Sequence, residues 1–336
     1  MIGKEILITG GTGSLGKALI ERLIKTQMPK GIRIFSRCEL KQNALKQLVI
    51  EWIGIDNYIP VSFIIGDIRD KSAIERACRG VDVIINCAAM KRIESCEYNP
   101  LECVHTNITG VENVINAALS NDVEKVFQIS TDKAVYPTTL YGSTKKTAED
   151  LIIQANVYSG GRYPKFSCAR YGNVFGSNGS VIQLFMEQAK KVPEKMLSFK
   201  GEKIPFEFEP PVLTITDQQM TRFWIQLKTV ANFIIDMIKG MDGGEIFIPR
   251  MPTMSVMDLA KAICPEAKFK FIGLRGMEKL HECLITTEES RYTSDMEDFF
   301  VIDRSEQVSD ITWNYTSNSD AFTLGNADIV KMLEEL

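Results

Sequence analysis

Histidine is nearly absent: the 336 residues contain two, His105 and His281. This argues against a His-rich metal centre, so no metal is expected, and a Ser-His-Asp triad would have to use one of the two. No apolar run is long enough to span a bilayer. The eight cysteines, at 38, 78, 87, 96, 103, 168, 264 and 283, form no Cys-x-x-Cys pair and show no regular spacing. The first residues lead into a short apolar run ending at Thr9, with neither the length nor the cleavage site of a signal peptide. Free thiols in a reducing, cytoplasmic setting are therefore expected. Net charge is −4 with both signs scattered, which leaves no basic footprint for nucleic acid and no polybasic membrane patch. An anionic ligand must be held by local groups. There is no internal repeat and no low-complexity segment.

What is present is a 45% hydrophobic chain, enough for a substantial core. Short β-rich runs alternate with helical patterns. Strands are expected at Ile6–Thr9, Arg33–Ser36, Val61–Ile65, Val83–Asn86, Val126–Ser130 and Phe166–Tyr171. Helices are expected after the first glycine turn, over Glu39–Trp52, around Ser72–Cys78, over Leu101–Leu119 and over Tyr141–Tyr158. This alternation predicts an α/β fold, a Rossmann-type doubly wound parallel sheet. Beyond about Ser180 the pattern loosens into a smaller C-terminal substrate-binding lobe expected to close over the sheet edge. The expected division is 1–175 for a dinucleotide-binding domain carrying the catalytic residues and 176–336 mainly for the lobe, some of whose segments return to the first domain. Gly201–Pro211, charged and proline-bearing, reads as a loop.

The first strand runs into Gly10-Gly11-Thr12-Gly13-Ser14-Leu15-Gly16. Gly10 permits a tight turn, Gly13 lets backbone approach a pyrophosphate, and Gly16 lets the helix pack on the sheet, with the helix N-terminus favouring negative charge. An ordinary strand–helix corner is the plain alternative, but the βαβ context points to a dinucleotide. An acidic residue usually ends the second strand of an NAD site. Here Ser36-Arg37 stands there. A guanidinium pairs with a 2′-phosphate, so NADP is expected, with Glu39 close enough to leave NAD open. Asp67-Ile68 after the third strand falls where an adenine edge would lie, and Ala88-Ala89 after the fourth allows close approach.

After the fifth strand come Ser130-Thr131-Asp132-Lys133 and then Tyr141-Gly142-Ser143-Thr144-Lys145. Tyr141 and Lys145, four apart, share one helix face. An ammonium beside a phenol lowers its pKa and suits it to act as a base. The set resembles the extended short-chain dehydrogenase/reductase family, and within it the inverting UDP-N-acetylglucosamine 4,6-dehydratases. The likeness spans nearly the whole chain: residues 36–42, Ala88-Ala89-Met90-Lys91, Thr131-Asp132-Lys133-Ala134, Arg170-Tyr171-Gly172-Asn173-Val174, residues 216–224, Gly273-Leu274-Arg275 and residues 278–282.

The resemblance implies an internal oxidation at sugar carbon 4, loss of water across carbons 5 and 6, and return of the hydride to carbon 6. By that likeness Tyr141 is the base at the 4-hydroxyl, Lys145 holds the ribose, Lys133 is the base at carbon 5, Asp132 is the acid at the 6-hydroxyl, and Thr131 bonds the sugar 4-oxygen. Retaining relatives typically carry Glu where this chain has Lys133. The resemblance also implies cofactor contacts from Lys91 and Asn107, and contacts to a UDP-sugar substrate from Lys91, Asn173, Thr221, Arg222, Arg275 and Glu278. For Arg222 a solvated surface charge is an equal alternative. Two departures stand out. The family's Arg-Pro-Gly-Glu-Lys is Arg275-Gly276-Met277-Glu278-Lys279 here, and the stretch from 193 to 213 is longer, reading as an inserted surface loop that acts as a lid or an oligomer contact. A 4-epimerase or a retaining dehydratase is the alternative within the class, and a non-catalytic NADP-sensing regulator outside it. Helices of similar enzymes pair across dimers and some assemble into hexamers, so a homo-oligomer is expected.

Overall fold

The computed structural model describes residues 1–54, 58–177, 179–190, 194–199, 202–208, 210–319 and 323–334. It resolves into two compact units, the first formed by Met1–Tyr171, Leu227–Arg250 and Cys283–Tyr315, the second by Gly172–Gln226, Met251–Glu282 and Thr316–Leu336.

The first unit alternates β1 (Glu5–Thr9), α1 (Ser14–Thr26), β2 (Gly31–Ser36), α2 (Glu39–Ile53), β3 (Val61–Ile65), α3 (Lys71–Cys78), β4 (Val83–Asn86), α4 (Ile93–Tyr98), α5 (Pro100–Val104), α6 (Gly110–Ser120), β5 (Lys125–Ile129), α7 (Leu140–Gln154) and β6 (Lys165–Ala169). Among the described residues its sheet has nine strands. From one edge they run Thr293–Asp295, Phe299–Asp303, Glu245–Pro249, then β6, β5, β4, β1, β2 and β3. Every pairing from Glu245–Pro249 to β3 is parallel, and the two outer ones are antiparallel. Helices cover both faces of a parallel sheet, so its central strands read as unbroken apolar runs. In β1, Ile6, Leu7 and Ile8 are all fully buried, each worth ~1.5–3 kcal/mol of transfer free energy. Strand order reverses between β1 and β4, and ligands of such sheets bind beyond the strand ends at that reversal. Gly10 and Ala88 lie there.

Two expectations for secondary structure are corrected. Leu101–Leu119 is not one α-helix: α5 passes through a π-helical turn, His105–Thr109, before α6. At the exit of that turn Ile68 presses on Gly110, where Ile68 Cγ1 leaves no room for a Cβ. The segment read as a loop over Gly201–Pro211 contributes a strand instead. Glu194–Phe199 pairs antiparallel with Glu202–Phe208, with an irregularity between Lys195 and Met196, where Met196 faces Pro205. Proline is tolerated at such a break in the ladder. Charge and proline content hid a period-two pattern, Ile204, Phe206 and Phe208 alternating with Lys203, Pro205 and Glu207. Of the stretch from 193 to 213, Pro193, Lys200, Gly201 and Glu209 lie outside the described residues.

The second unit has its own core around Phe185, Leu213, Ile215, Trp224 and Leu259. Its strand Thr221–Gln226 lies between Asn173–Phe175 and Thr253–Ser255. Among the described residues no helix is long and apolar enough to cross a membrane.

Candidate active site

The glycine turn is built as its spacing implies. Gly10 has φ +62°, and a Cβ there would lie 2.9 Å from the Cα and N of Ala88, so the loops after β1 and β4 touch backbone to backbone. A Cβ on Gly16 would lie 2.5 Å from Gly11 Cα, which fixes how closely α1 meets the turn. Gly13 stands at the N-cap of α1 without a capping side chain, and the first turn carries no acidic residue. Thr12, Ser14 and Leu15 are half-buried around it. Uncapped N–H groups at the positive end of a helix suit a pyrophosphate.

At the end of β2, Ser36 is buried and Arg37 is largely exposed. Arg37 Nη1 is 3.7 Å from Asp67 Oδ2. Burial pushes the Asp67 carboxyl up, but hydrogen bonds from Arg69 and the charges of Arg69 and Arg37 hold it below the usual carboxylate range. Gln42 Nε2 donates to Ser36 O and Oγ (both 3.0 Å) and to Ile64 O (2.8 Å), tying β2 to β3 behind Ser36. Ile68 is buried. Ala89 and Lys91 follow Ala88, Lys91 exposed.

Asn107, expected to touch the cofactor, is turned to another task. Its Oδ1 accepts from Met90 N (2.8 Å), and its Nδ2 donates to Met90 O (3.0 Å) and Thr144 Oγ1 (3.1 Å). It is almost fully buried, so the π turn aims it at the loop after β4 and at α7.

The Asp132–Ala134 3₁₀ turn follows β5 and is capped by Thr131. Asp132 is fully buried. Its Oδ1 accepts from Thr131 Oγ1 (2.9 Å) and Lys133 Nζ (3.0 Å), while its Oδ2 has no partner. Helix α7 starts at a Thr139 cap and carries Tyr141 against Cys96, Cys103, Met90 and Ile93. Gly142 permits its close approach, since a Cβ there would lie 2.5 Å from Lys133 O. Thr131, Asp132, Lys133 and Tyr141 therefore converge. Lys145 is buried one turn on, donating from Nζ to Ile129 O (2.5 Å).

The electrostatics correct the expectation for Tyr141. Burial pushes its phenol up to about 12; the Lys133 ammonium and a Thr131 hydrogen bond pull it down, and Asp132 adds to the rise. The cation acting on the phenol is thus Lys133. Burial lowers Lys145 to about 8.

In the second unit, Arg222 is spent on its own loop. Its Nη1 donates to Thr221 O (2.7 Å) and Leu280 O (3.0 Å), and its Nη2 to Lys279 O (3.0 Å) and Glu278 Oε1 (3.5 Å). Backbone carbonyls and a carboxylate occupy a guanidinium that the sequence reading offered to the substrate. Thr221 Oγ1 is 2.7 Å from both His281 Nδ1 and Ser317 Oγ. Glu278 Oε2 is buried without a partner, and Arg275 and Asn173 are exposed and half-buried respectively. Sequence reading missed Gln42 and Gly142. Gln42 and Gly142 stood inside quoted motifs, but what they do depends on contacts across the fold.

The family model described as "Polysaccharide biosynthesis protein" matches residues 6–304. The chain is 41% identical over 317 residues, 94% of its length and 88% of the relative's, to a UDP-N-acetylglucosamine 4,6-dehydratase (inverting) of Campylobacter jejuni subsp. jejuni serotype O:23/36. It is 36% identical over 308 residues, 90% of its length and 83% of the relative's, to a UDP-glucose 4-epimerase of Rickettsia canadensis. Among solved structures, Pen from Bacillus thuringiensis superposes with a TM-score of 0.85 at 34% identity, covering 99% of this chain and 98% of that one.

Proposed function

We propose a function from one premise: the chain belongs to the polysaccharide biosynthesis protein family. It is a nucleotide-sugar 4,6-dehydratase, read here as NADP-dependent, 5-inverting and acting on UDP-N-acetylglucosamine. The observation that carries this reading is the Asp132–Lys133 pair, a fully buried carboxyl with one oxygen unpartnered, 3.0 Å from an ammonium and packed with Tyr141.

One proton passed from Lys133 Nζ to Asp132 turns this ion pair into an amine and a carboxylic acid, the base and acid that elimination needs. The amine takes the proton from carbon 5. The acid gives its proton to the 6-hydroxyl, the carbon–oxygen bond breaks and water leaves, with carbons 5 and 6 double-bonded. As a phenolate, its own proton lost to solvent beside the Lys133 ammonium that favours this form, Tyr141 takes the 4-hydroxyl proton, and Thr131 bonds the 4-oxygen. The nicotinamide dinucleotide, when bound, supplies the hydride exchange at carbons 4 and 6. The glycine cradle and the uncapped α1 fit its pyrophosphate, Lys145 its ribose and Arg37 its 2′-phosphate. Glu278, with a buried oxygen to fill, and Arg275 are the residues assigned to the UDP end. Each positioned proton-transfer group contributes ~10²–10⁴-fold in rate.

The Rickettsia relative bears an epimerase name; epimerisation at carbon 4 needs no acid–base pair for elimination. Mass spectrometry of products from a panel of UDP- and dTDP-hexoses separates the two: one product lighter by a water is expected, and product of unchanged mass contradicts the reading. Cofactor choice is tested at Arg37. Arg37→Ala should weaken NADP binding ~10-fold or more, the worth of a charge-assisted pair, and leave NAD binding unchanged in fluorescence titration.

Exposed Tyr98, Leu101, Val157 and Tyr158 on and after α4, α5 and α7 support self-association, which light scattering of the purified protein checks.

A further inference from the structure

None of the steps above uses a buried chain of four residues in the first unit. Arg170 is fully buried. Its Nε and Nη2 donate to Glu149 Oε2 (3.2 Å) and Oε1 (2.5 Å), its Nη1 and Nη2 to Glu289 Oε2 (2.9 Å) and Oε1 (2.8 Å), and its Nη1 to Leu284 O (2.8 Å). Glu149, also fully buried, accepts the Ser130 hydroxyl at 2.8 Å. Lys146 (3.8 Å) and Arg304 (3.9 Å) approach it from outside. Packed apolar side chains commonly stabilise a core as well as a buried ion network does. What this network supplies is a fixed position and a fixed charge.

The position is next to the chemistry. Ser130 immediately precedes Thr131, Asp132 and Lys133, and Glu149 is four residues after Lys145 on α7, hence on the same helix face. We propose that Glu149 is a positioning residue for the reaction: held by Arg170, which Glu289 grips in turn, it holds the Ser130 hydroxyl and so the Thr131–Lys133 turn, and it places a carboxylate one helical turn from the Lys145 ammonium. This deepens the reading of Tyr141 and Lys145 given above and rests on it.

The groups acting on Lys145 come from three places: Cys168 on β6, Glu149 on α7 and Cys87 after β4. Burial keeps both thiols protonated, Cys87 pushed up to about 12 and Cys168 well above its ordinary value. Glu149 is the carboxylate of the three, ion-paired with Arg170. Burial lowers Lys145 to about 8, and Glu149 opposes that fall. The ammonium is lost as pH rises through this value, so removing Glu149's charge moves the loss to lower pH.

The test compares Glu149→Gln with Glu289→Gln. The first removes the charge near Lys145 and keeps an oxygen for Ser130. The second disturbs Arg170 comparably and leaves Glu149 charged. Lys145 is titrated directly by NMR of ¹³Cε-labelled lysine, its signal assigned with Lys145→Arg, and the alkaline limb of kcat is measured alongside. For Glu149→Gln both should move down by about one pH unit, within the range a neighbouring charge produces; for Glu289→Gln neither should move, although its melting temperature falls. If Glu149→Gln does not fold, Glu149→Asp should shift Lys145 in the same direction by less. An unmoved Lys145 titration in the folded Glu149 variant, or equal shifts in both glutamine variants, overturns the inference. The NMR shift is read without turnover, so absence of dehydrated product in the wild type counts against the dehydratase reading and not against this one.

Discussion

Lys133→Met should lower formation of dehydrated product by ~10²–10⁴-fold, the usual worth of a positioned proton acceptor, while dinucleotide binding stays within twofold. The side chain is partly exposed and its ammonium is 3.0 Å from Asp132. Methionine keeps the length and removes the proton acceptor. The buried Asp132 carboxyl is left in place, so the substitution removes the base alone. Asp132→Asn makes the reciprocal cut: the amide still accepts from Lys133 but has no proton to give the leaving hydroxyl, and a loss of similar size is expected. The check is steady-state product formation by mass spectrometry beside fluorescence titration of the cofactor. Full dehydration by Lys133→Met would remove Lys133 from the mechanism.

Gly10→Val should cost both stability and cofactor binding. The backbone at 10 is at φ +62°, a region where a β-branched residue is a genuine outlier, at ~1–2 kcal/mol. The new Cβ also meets Ala88 backbone at 2.9 Å, and overpacking of this kind costs ~1–3 kcal/mol. Together these lower the melting temperature by on the order of 5–10 °C. Dinucleotide affinity should fall more than tenfold, because the turn that faces the pyrophosphate must move. Calorimetry and equilibrium titration read the two effects. A variant with wild-type melting and wild-type binding would mean that the β1 and β4 loops need not touch.

The legible parts of the site were those encoded by short spacing. Gly10, Gly13 and Gly16 lie within one turn and its helix, and Tyr141 and Lys145 within one helical turn, so local geometry alone places them. The alternating strands of β1 to β6 were readable because a parallel sheet buried on both faces demands continuous apolar runs. The Ser130–Glu149–Arg170–Glu289 chain could not be read that way: Arg170 meets Glu149 across 21 residues and Glu289 across 119. Arg222 misled for the same reason, since the carbonyl of Leu280 that accepts its hydrogen bond is 58 residues away. Asn107 was assigned by resemblance, yet a π turn decides where it points, and nothing in the local pattern of Leu101–Leu119 announces the extra residue. The outer strands Thr293–Asp295 and Phe299–Asp303 escaped notice because they join the sheet antiparallel from a distant, irregular stretch.

In this mechanism a proton leaves one sugar carbon for Lys133, and a solvent-derived proton returns there on the opposite face. Wild-type protein with NADP and UDP-N-acetylglucosamine in deuterated water, followed by proton NMR, tests it most directly. The predicted product is a 4-keto-6-deoxy sugar with one deuteron at carbon 5 and the configuration there inverted. A dehydrated product that keeps its original proton at carbon 5, or a product epimerised at carbon 4 with its 6-hydroxyl intact, would contradict it.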